Sequence, residues 1–244
     1  MTSKHRMEDM TPAEFREAVS RRPVFILPTG ILEWHGDHLP LGLDALKMKG
    51  IAERLAQQAD AILLPQNWFG VVGFDEMLGT VTFSKLLVKQ IAAEFFLNLE
   101  KLGAKLIVLL TGHYGPYQLE TIKEAAEEYM GQSGVRIIAQ AEYEDVDFTS
   151  CGIGPDHAGR YETSLAMALF PHLVQMEHFQ RELNIPTEYS YRPNHWGFRS
   201  PQGTWSFDAD LRQQASADFG EQIIEMIVDH LRRRIDEELA RCGT

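Results

Sequence analysis

The chain has 244 residues, of which 44% are hydrophobic, and its formal net charge is -12. The acidic balance argues against a nucleic-acid partner, because polyanions are bound through clusters of Lys and Arg. Two cysteines are too few for a disulfide framework, and no apolar run approaches the ~20 residues of a membrane span. The N-terminal residues also lack the apolar core of a signal peptide, so we expect a cytoplasmic protein that forms one domain over residues 1–244 and has no membrane partner.

The first half of the chain alternates predicted helices with short apolar strands. The sequence Thr11-Pro12-Ala13-Glu14 has the pattern of a capping box that begins a helix. Val24–Leu27 and Ala61–Leu64 are predicted strands, and Ala45–Gln58 between them has helical spacing. The Gly- and aromatic-rich segment Gln66–Phe83 is predicted to be a long loop, and loops of that length are usually functional.

The second half of the chain continues the alternation. Ser84 is predicted to cap an amphipathic helix with an apolar stripe at Leu87, Ile91, Phe95 and Leu99. The later predicted elements are strands at Leu106–Leu110 and Arg136–Gln140, helices at Gln118–Met130 and Tyr161–Leu169, and a long final helix carrying Phe219, Ile223, Ile227, Leu231 and Ile235. Short apolar strands alternating with helices predict an α/β fold in which helices cover both faces of a mostly parallel sheet.

Acidic and histidine side chains follow three of the predicted strands. They are Glu33, His35 and Asp44 after the first strand, His113 after the strand at 106–110, and Asp156, His157 and Glu162 after the strand at 136–140. Ligands of parallel sheets bind at the carboxyl ends of the strands, so three loops are expected to bring these groups to one edge. Imidazole and carboxylate are ligands of Zn²⁺, Mn²⁺ and Fe²⁺, and a carboxylate can bridge two ions. The pattern therefore predicts a divalent metal site.

Several residues of these loops also have an interpretation that involves no metal. Asp44 precedes a predicted helix and could be its N-cap, and Glu162 in a first helical turn would meet the helix dipole favourably. His113 could be a hydrogen-bonded structural histidine, and His38 could serve only to shape its loop. The metal interpretation is favoured because none of these alternatives explains why the groups coincide at strand ends.

Five sequence motifs, in this order, resemble those of the creatininase (creatinine amidohydrolase) family. They are LPTGILEWHGDHLPLGLD at 27–44, GTVTFS at 79–84, TGHYGPY at 111–117, DHAGRYETS at 156–164 and ASADFG at 215–220. The resemblance covers nearly the whole chain and implies a three-layer α/β/α sandwich with two divalent metal ions (Zn, Mn or Fe). It also implies a homo-oligomer, frequently a hexamer, that hydrolyses a non-peptide C–N bond in a small, often cyclic, amide substrate.

The resemblance assigns roles to individual residues. Glu33 and His113 would bind one ion and His35 the other, with Asp44 bridging the two. His157 resembles the general acid/base of the family, which would protonate the leaving nitrogen after a metal-bridging hydroxide attacks the carbonyl carbon. The neighbouring Asp156 is a candidate to orient the His157 ring.

Gly115 marks a departure from creatininase. In that enzyme, a glutamate two residues after the histidine that matches His113 binds the second metal, and here that position is Gly115. Glu162 is therefore our candidate for the missing carboxylate, as a metal ligand and a catalytic residue. Thr111, Tyr114 and Pro116 also depart from the wider family pattern Asn-Gly-His-Gly-Gly-Asn, so we expect a different substrate pocket and do not favour creatinine as the substrate.

Three functions are compatible with the sequence. The first is metal-dependent hydrolysis of a small amide, and the second is a deformylase- or peptidase-type hydrolysis on the same scaffold. The third is a non-catalytic, metal-bound sensor of small molecules, favoured only by the loss of the carboxylate at Gly115. The segment Tyr189–Trp205 is a candidate flap over the site.

Overall fold

Strands and helices alternate along the chain, as the sequence predicts. In a computed structural model, which describes residues 4–71, 77–184, 204–207 and 209–241, the strands are β1 (Val24–Thr29), β2 (Ile62–Leu63), β3 (Leu106–Thr111), β4 (Arg136–Ala141), β5 (Glu182–Asn184) and β6 (Thr204–Ser206). The helices are α1 (Pro12–Arg21), α2 (Leu43–Gln58), α3 (Lys85–Lys101), α4 (Pro116–Met130), α5 (Arg160–Leu169), α6 (Leu211–Gln214) and α7 (Ala217–Arg241). Short 3₁₀ turns lie at Met7–Asp9, Pro171–Leu173 and Met176–His178.

Four parallel strands form the central sheet in the order β2-β1-β3-β4. The chain moves outward from β1 to β2 and then crosses to β3 and β4 on the other side, so the strand order reverses between β1 and β3. The last residues of three strands are in register, with Thr29 beside Thr111 and Thr111 beside Ala141. A reversal of this kind opens a crevice at the carboxyl ends of the two strands, which is where open α/β sheets bind ligands.

Alternate side chains of the central strands enter two separate apolar layers. One layer contains Val24, Ile26, Leu106, Val108 and Leu110 together with residues of α2, α5 and α7. The opposite layer contains Phe25, Leu27, Ile107 and Leu109 together with residues of α1, α3 and α4. Successive residues of a strand point to opposite faces, so this division confirms that helices cover both sides of the sheet in a three-layer α/β/α arrangement.

The two predicted helix caps agree with the structure. Thr11 and Glu14 form the capping box of α1, in which Glu14 Oε2 accepts from Thr11 N at 2.7 Å. Ser84 caps α3 by accepting a hydrogen bond from Leu87 N at 3.3 Å. Helix α4 begins at Pro116, two residues before the predicted start, because proline is well suited to a first helical position.

The apolar stripe predicted for α3 is not its buried face. Leu87 is 40% exposed, and the helix buries Val88, Ala92, Phe96 and Leu99 instead. The two stripes are adjacent and both are apolar, and a four-residue spacing drifts around a helix of 3.6 residues per turn. Packing against the sheet therefore decides which face of α3 is buried. Leu99 is the residue that the predicted stripe and the buried face share.

Two further features concern the part of the chain after α5. Strands β5 and β6 form a small antiparallel pair that the sequence does not predict. Most of the predicted flap Tyr189–Trp205 lies outside the described residues. Among the residues that are described, none of the helices combines the length and the apolarity needed to cross a bilayer.

Candidate metal centre

The start of α2 lies against the carboxyl ends of β1 and β3 because two glycines leave room for it. A Cβ added to Gly112 would lie 2.2 Å from the carbonyl oxygen of Asp44, and one added to Gly30 would lie 2.5 Å from Ala45 N. Backbones can approach this closely only where no side chain intervenes. Gly30 follows β1 and Gly112 follows β3, so Asp44 is held over the gap between these strands.

Asp44 lies in the first turn of α2, but it is not the N-cap. That position is occupied by Gly42, so the capping interpretation of Asp44 is wrong. The Asp44 carboxylate instead lies between two imidazoles, with Oδ1 3.2 Å from His35 Nε2 and Oδ2 3.3 Å from His113 Nδ1. Each oxygen of this buried carboxylate is thus directed towards a different histidine.

Glu33, Asp44 and His113 form the first of two clusters of ligand atoms, which we call the first ion site. Glu33 Oε2 lies 3.2 Å from His113 Nδ1, and one ligand atom from each residue lies within 4.8 Å of the others. The loop after β1 folds back to present Glu33, whose N–H donates to Leu41 O at 2.8 Å. His113 N–H donates to Thr111 Oγ1 at 3.1 Å at the end of β3.

His35, Asp44 and Glu162 form the second cluster, which we call the second ion site. Glu162 Oε2 lies 3.5 Å from His35 Nε2, and the three ligand atoms again lie within 4.8 Å of one another. Glu162 is in the first turn of α5, whereas Gly115 is the N-cap of α4 and has no side chain to contribute. The structure therefore brings all five predicted ligands together, with Asp44 common to both sites.

The hydrogen bonds of these residues leave ligand atoms available to a cation. His35 Nδ1 lies 3.0 Å from Glu33 O, so Nδ1–H donates to that carbonyl and Nε2 is the ring atom that can bind an ion once it has lost its proton. Across the described residues, the buried atoms His35 Nε2 and Asp44 Oδ2 have no hydrogen-bond partner. Unsatisfied buried groups of ligand type, with the ring fixed by a backbone carbonyl, are what a resident divalent ion requires.

The electrostatics of the cluster also favour added positive charge. Burial lowers the pKa of His35, but the carboxylates of Asp44 and Glu162 outweigh it and raise that pKa to about 9. Burial likewise opposes the charge on His113, yet Glu33 and Asp44 raise the pKa of its ring well above the ordinary value. Buried carboxylates thus need either protonated imidazoles or metal ions beside them, and the residues fit a divalent metal centre.

His157 borders both ion sites but has a different environment. Its Nε2 lies 2.8 Å from Trp34 O, and its ring stacks on that of His35 with centroids 4.3 Å apart. A ligand atom of His157 lies within 4.8 Å of those of Glu33 and His35. Burial and the neighbouring His35 lower the pKa of His157 to about 4, so the half-buried ring is neutral at physiological pH.

Asp156 does not orient the His157 ring. Its carboxylate accepts hydrogen bonds from the backbone N–H groups of Gly159, Tyr161 and Glu162, at 3.1, 2.8 and 3.2 Å. These contacts organise the start of α5 and thereby the position of Glu162. The imidazole of His157 is instead hydrogen-bonded to the carbonyl of Trp34 and stacked on His35.

His38 lies apart from both clusters. Its Nε2 lies 3.2 Å from Thr163 Oγ1, and its ring meets the edges of Phe179 and Phe207. Burial lowers the pKa of His38 to about 4, which keeps the ring neutral. These contacts agree with a role in shaping the loop.

Sequence reasoning missed three polar residues that adjoin the second ion site. Lys47, Tyr114 and Glu142 form a hydrogen-bonded group behind Glu162, and Lys47 and Glu142 are fully buried. Glu142 directly follows β4, so the strand-end argument that found the other carboxylates applies to it as well. Lys47 follows Asp44 by three residues, which places the two side chains on one face of α2.

The chain is similar in sequence to proteins of one known family. The sequence model of the creatininase family, described as creatinine amidohydrolase, matches residues 8–235. Creatinine amidohydrolase of Pseudomonas putida is 26% identical over 239 residues, which cover 88% of this chain and 89% of that protein. The mycofactocin precursor peptide peptidase of Mycolicibacterium smegmatis is 27% identical over 166 residues, which cover 64% of this chain and 62% of that protein.

Solved structures show the same fold. A crystal structure of creatinine amidohydrolase aligns with a TM-score of 0.77 at 24% identity, covering 96% of this chain and 97% of that chain. A manganese form of creatininase and a Zn–Zn form of a creatininase variant align with TM-scores of 0.75 and 0.73, each at 24% identity and covering 96% of this chain and 98% of the other. The chain, which at these identities is not creatininase itself, belongs to the creatininase family of metal-dependent amide hydrolases.

Proposed function

We propose that the chain hydrolyses the C–N bond of a small amide at a centre of two divalent ions. The observation that carries the proposal is the Asp44 carboxylate, whose two oxygens face separate clusters of ligands. The manganese and zinc forms of creatininase support Mn²⁺ or Zn²⁺ as the ions. When bound, such ions polarise a carbonyl and lower the pKa of water towards neutrality.

His157 is proposed as the proton carrier. Its Nε2–H is held by Trp34 O, which leaves Nδ1 as the atom that gains and releases a proton. A ring that is neutral at pH 7 acts first as a base towards the attacking water and then as an acid towards the leaving nitrogen. Stacking on His35 keeps His157 beside the ligand clusters throughout these steps.

Glu162 enters the proposal as a ligand and not as a second proton carrier. Its Oε2 accepts from Ala158 N–H at 2.7 Å, and its Oε1 accepts from Lys47 at 2.7 Å. Both oxygens are therefore held in place by donors. A carboxylate fixed in this way suits metal binding better than proton transfer, which needs a group that can turn towards the substrate.

A second candidate function is hydrolysis of a terminal peptide bond on the same scaffold. The similarity to the mycofactocin precursor peptide peptidase favours it, and the ligand geometry serves either substrate. In this proposal Glu162 offers the carboxylate that Gly115 lacks, which removes the reason to prefer a sensor.

The test couples metal analysis to an activity screen. Metal-free protein is reloaded with Mn²⁺ or Zn²⁺, the ions per chain are counted, and cyclic amides, formamides and short peptides are offered as substrates. We expect two ions and turnover of at least one class, with His157→Ala keeping both ions and losing ~10²–10⁴ in rate. Full activity of His157→Ala would remove the assigned proton carrier, and a two-ion protein that hydrolyses no amide would overturn the proposed function.

A further inference from the structure

A fully buried lysine lies directly behind Glu162. Lys47 has 0% of its surface exposed, and its Nζ donates to Glu162 Oε1 at 2.7 Å. An ammonium group is costly to bury unless it is paired and hydrogen-bonded, so its partners here define what it does. The nearer of its two carboxylate partners, Glu162, is a proposed ligand of the second ion site.

The two oxygens of Glu162 have different surroundings. Oε1 is bound by Lys47, whereas Oε2 accepts from Ala158 N at 2.7 Å and lies 3.5 Å from His35 Nε2. Each carboxylate oxygen can accept two hydrogen bonds or ligand contacts, so Oε2 keeps a lone pair for an ion in addition to its bond with Ala158. Oε1 faces a cation already and is the wrong oxygen for a metal. The carboxylate is thereby set to offer one oxygen to the second ion site.

Lys47 is itself held from the opposite side. Its Nζ lies 3.3 Å from Glu142 Oε1 and is hydrogen-bonded to Tyr114 Oη, which in turn donates to Glu142. The Nζ also lies 4.0 Å from the centroid of the Tyr114 ring. Glu142 follows β4 and Tyr114 follows β3. Residues at the ends of two strands therefore hold the ammonium group of Lys47 beside Glu162.

We propose that Lys47 is a positioning residue that holds Glu162 as a one-oxygen ligand of the second ion. This inference rests on the proposed two-ion centre. It explains how the chain completes the second ion site without a carboxylate at Gly115: the ligand comes from α5, and a buried lysine on α2 fixes its orientation. Glu142 lies on the other side of the ammonium group and balances part of its charge.

The experiment measures metal binding separately at the two sites. Metal-free wild type, Lys47→Met and the control Lys49→Met are titrated with Zn²⁺ against a competing chelator. Lys49 is exposed on the same helix, so its replacement removes the same charge without touching the centre. We expect Lys47→Met to weaken the second ion by about 10–100-fold, the range found when outer partners of a ligand are removed, and to leave the first ion unchanged. Lys49→Met should match wild type.

A second variant keeps the test valid if Lys47→Met is unstable. Lys47→Met leaves the Glu142 charge buried without its cation, so Lys47→Met/Glu142→Gln, which removes both charges, is measured beside it. The same selective loss of the second ion is expected. In a Glu162→Gln background, Lys47→Met should change the dissociation constant of neither ion further, because Lys47 acts on the metal only by holding Glu162.

The outcomes separate this inference from the proposed function. If wild type and both Lys47 variants bind the two ions with the same affinities, the positioning role is overturned. It is also overturned if the variants bind the second ion more tightly than wild type, because Lys47 would then compete with that ion for Glu162. A uniform loss at both sites that follows the loss of thermal stability would show a merely structural role. If wild type binds two ions, the Lys47 variants weaken only the second, and no amide is hydrolysed, the proposed function alone is overturned. If wild type binds fewer than two ions, both the proposed function and the positioning role are overturned.

Discussion

The Oδ1 atom of Asp44 lies 3.2 Å from His35 Nε2, while the other oxygen of the same carboxylate faces His113. Both imidazoles therefore depend on one aspartate, which belongs to the first turn of α2 and is held over the ends of β1 and β3. Because a single side chain serves two clusters, its replacement should have consequences that no other ligand shares.

Asp44→Asn should lose both ions, whereas Glu33→Gln should lose only the first. An amide offers one carbonyl oxygen and no charge, so it cannot serve as an anionic bridge between two cations. The loss should exceed the ~10–100-fold typical of changes outside the ligand shell. Ion counts after dialysis check this prediction, with Asp37→Asn in the same loop as an exposed control. Equal effects of Asp44→Asn and Glu33→Gln on both ions would contradict a bridging role.

The affinity for metal should rise with pH. In the metal-free protein, the neighbouring carboxylates outweigh burial and raise the pKa of His35 to about 9 and that of His113 well above its ordinary value. Both rings thus hold protons at neutral pH that an ion must displace, and this competition weakens as the pH approaches the raised pKa values. Zn²⁺ titration calorimetry between about pH 6 and pH 9, in buffers of different ionisation enthalpy, should show tighter binding at higher pH and proton release. Metal binding that is independent of pH and releases no protons would contradict the displacement of protons from His35 and His113.

The positions of the predicted ligands followed from a general rule, and the residues that support them did not. Because strand ends meet at one edge of a parallel sheet, the rule predicts that Glu33, His35 and His113 lie close together, as they do in the structure. The rule did not predict the role of Lys47, because lysine is almost never fully buried. The sequence of α2 also gives no sign that this lysine contacts residues on α5 or after β4. Its burial is a property of the tertiary arrangement alone.

The face of α3 illustrates the same limit for packing. Both Leu87 and Val88 begin apolar rows along the helix, so periodicity alone could not choose between them. Only contact with the sheet does so, and it places Phe96 in the core while Leu87 stays 40% exposed. The layer order of the fold needed no such contact, because alternation of strands and helices already determines it.

Substitutions on the two faces of α3 should therefore differ in their effect on stability. Phe96→Ala should lower the free energy of unfolding by about 3–5 kcal/mol, since it leaves a cavity in the layer beneath the sheet. Leu87→Ala removes a side chain that is 40% exposed and should cost less than about 1 kcal/mol. Urea denaturation of both variants decides the matter, and a larger loss for Leu87→Ala would mean that the buried face is wrongly assigned.

Gly112→Ala should weaken the metal centre without altering any ligand. The new Cβ would lie 2.2 Å from Asp44 O, so the start of α2 must move away from the strand ends and carry Asp44 with it. We expect a loss of about 1–3 kcal/mol in stability, as for other overpacked sites, together with weaker binding of both ions. Gly134→Ala is the matched control, because a Cβ there meets nothing within 4 Å. Thermal denaturation and Zn²⁺ titration of the two variants test the point, and a Gly112→Ala protein that binds both ions like wild type would show that Asp44 does not depend on this close approach of the two backbones.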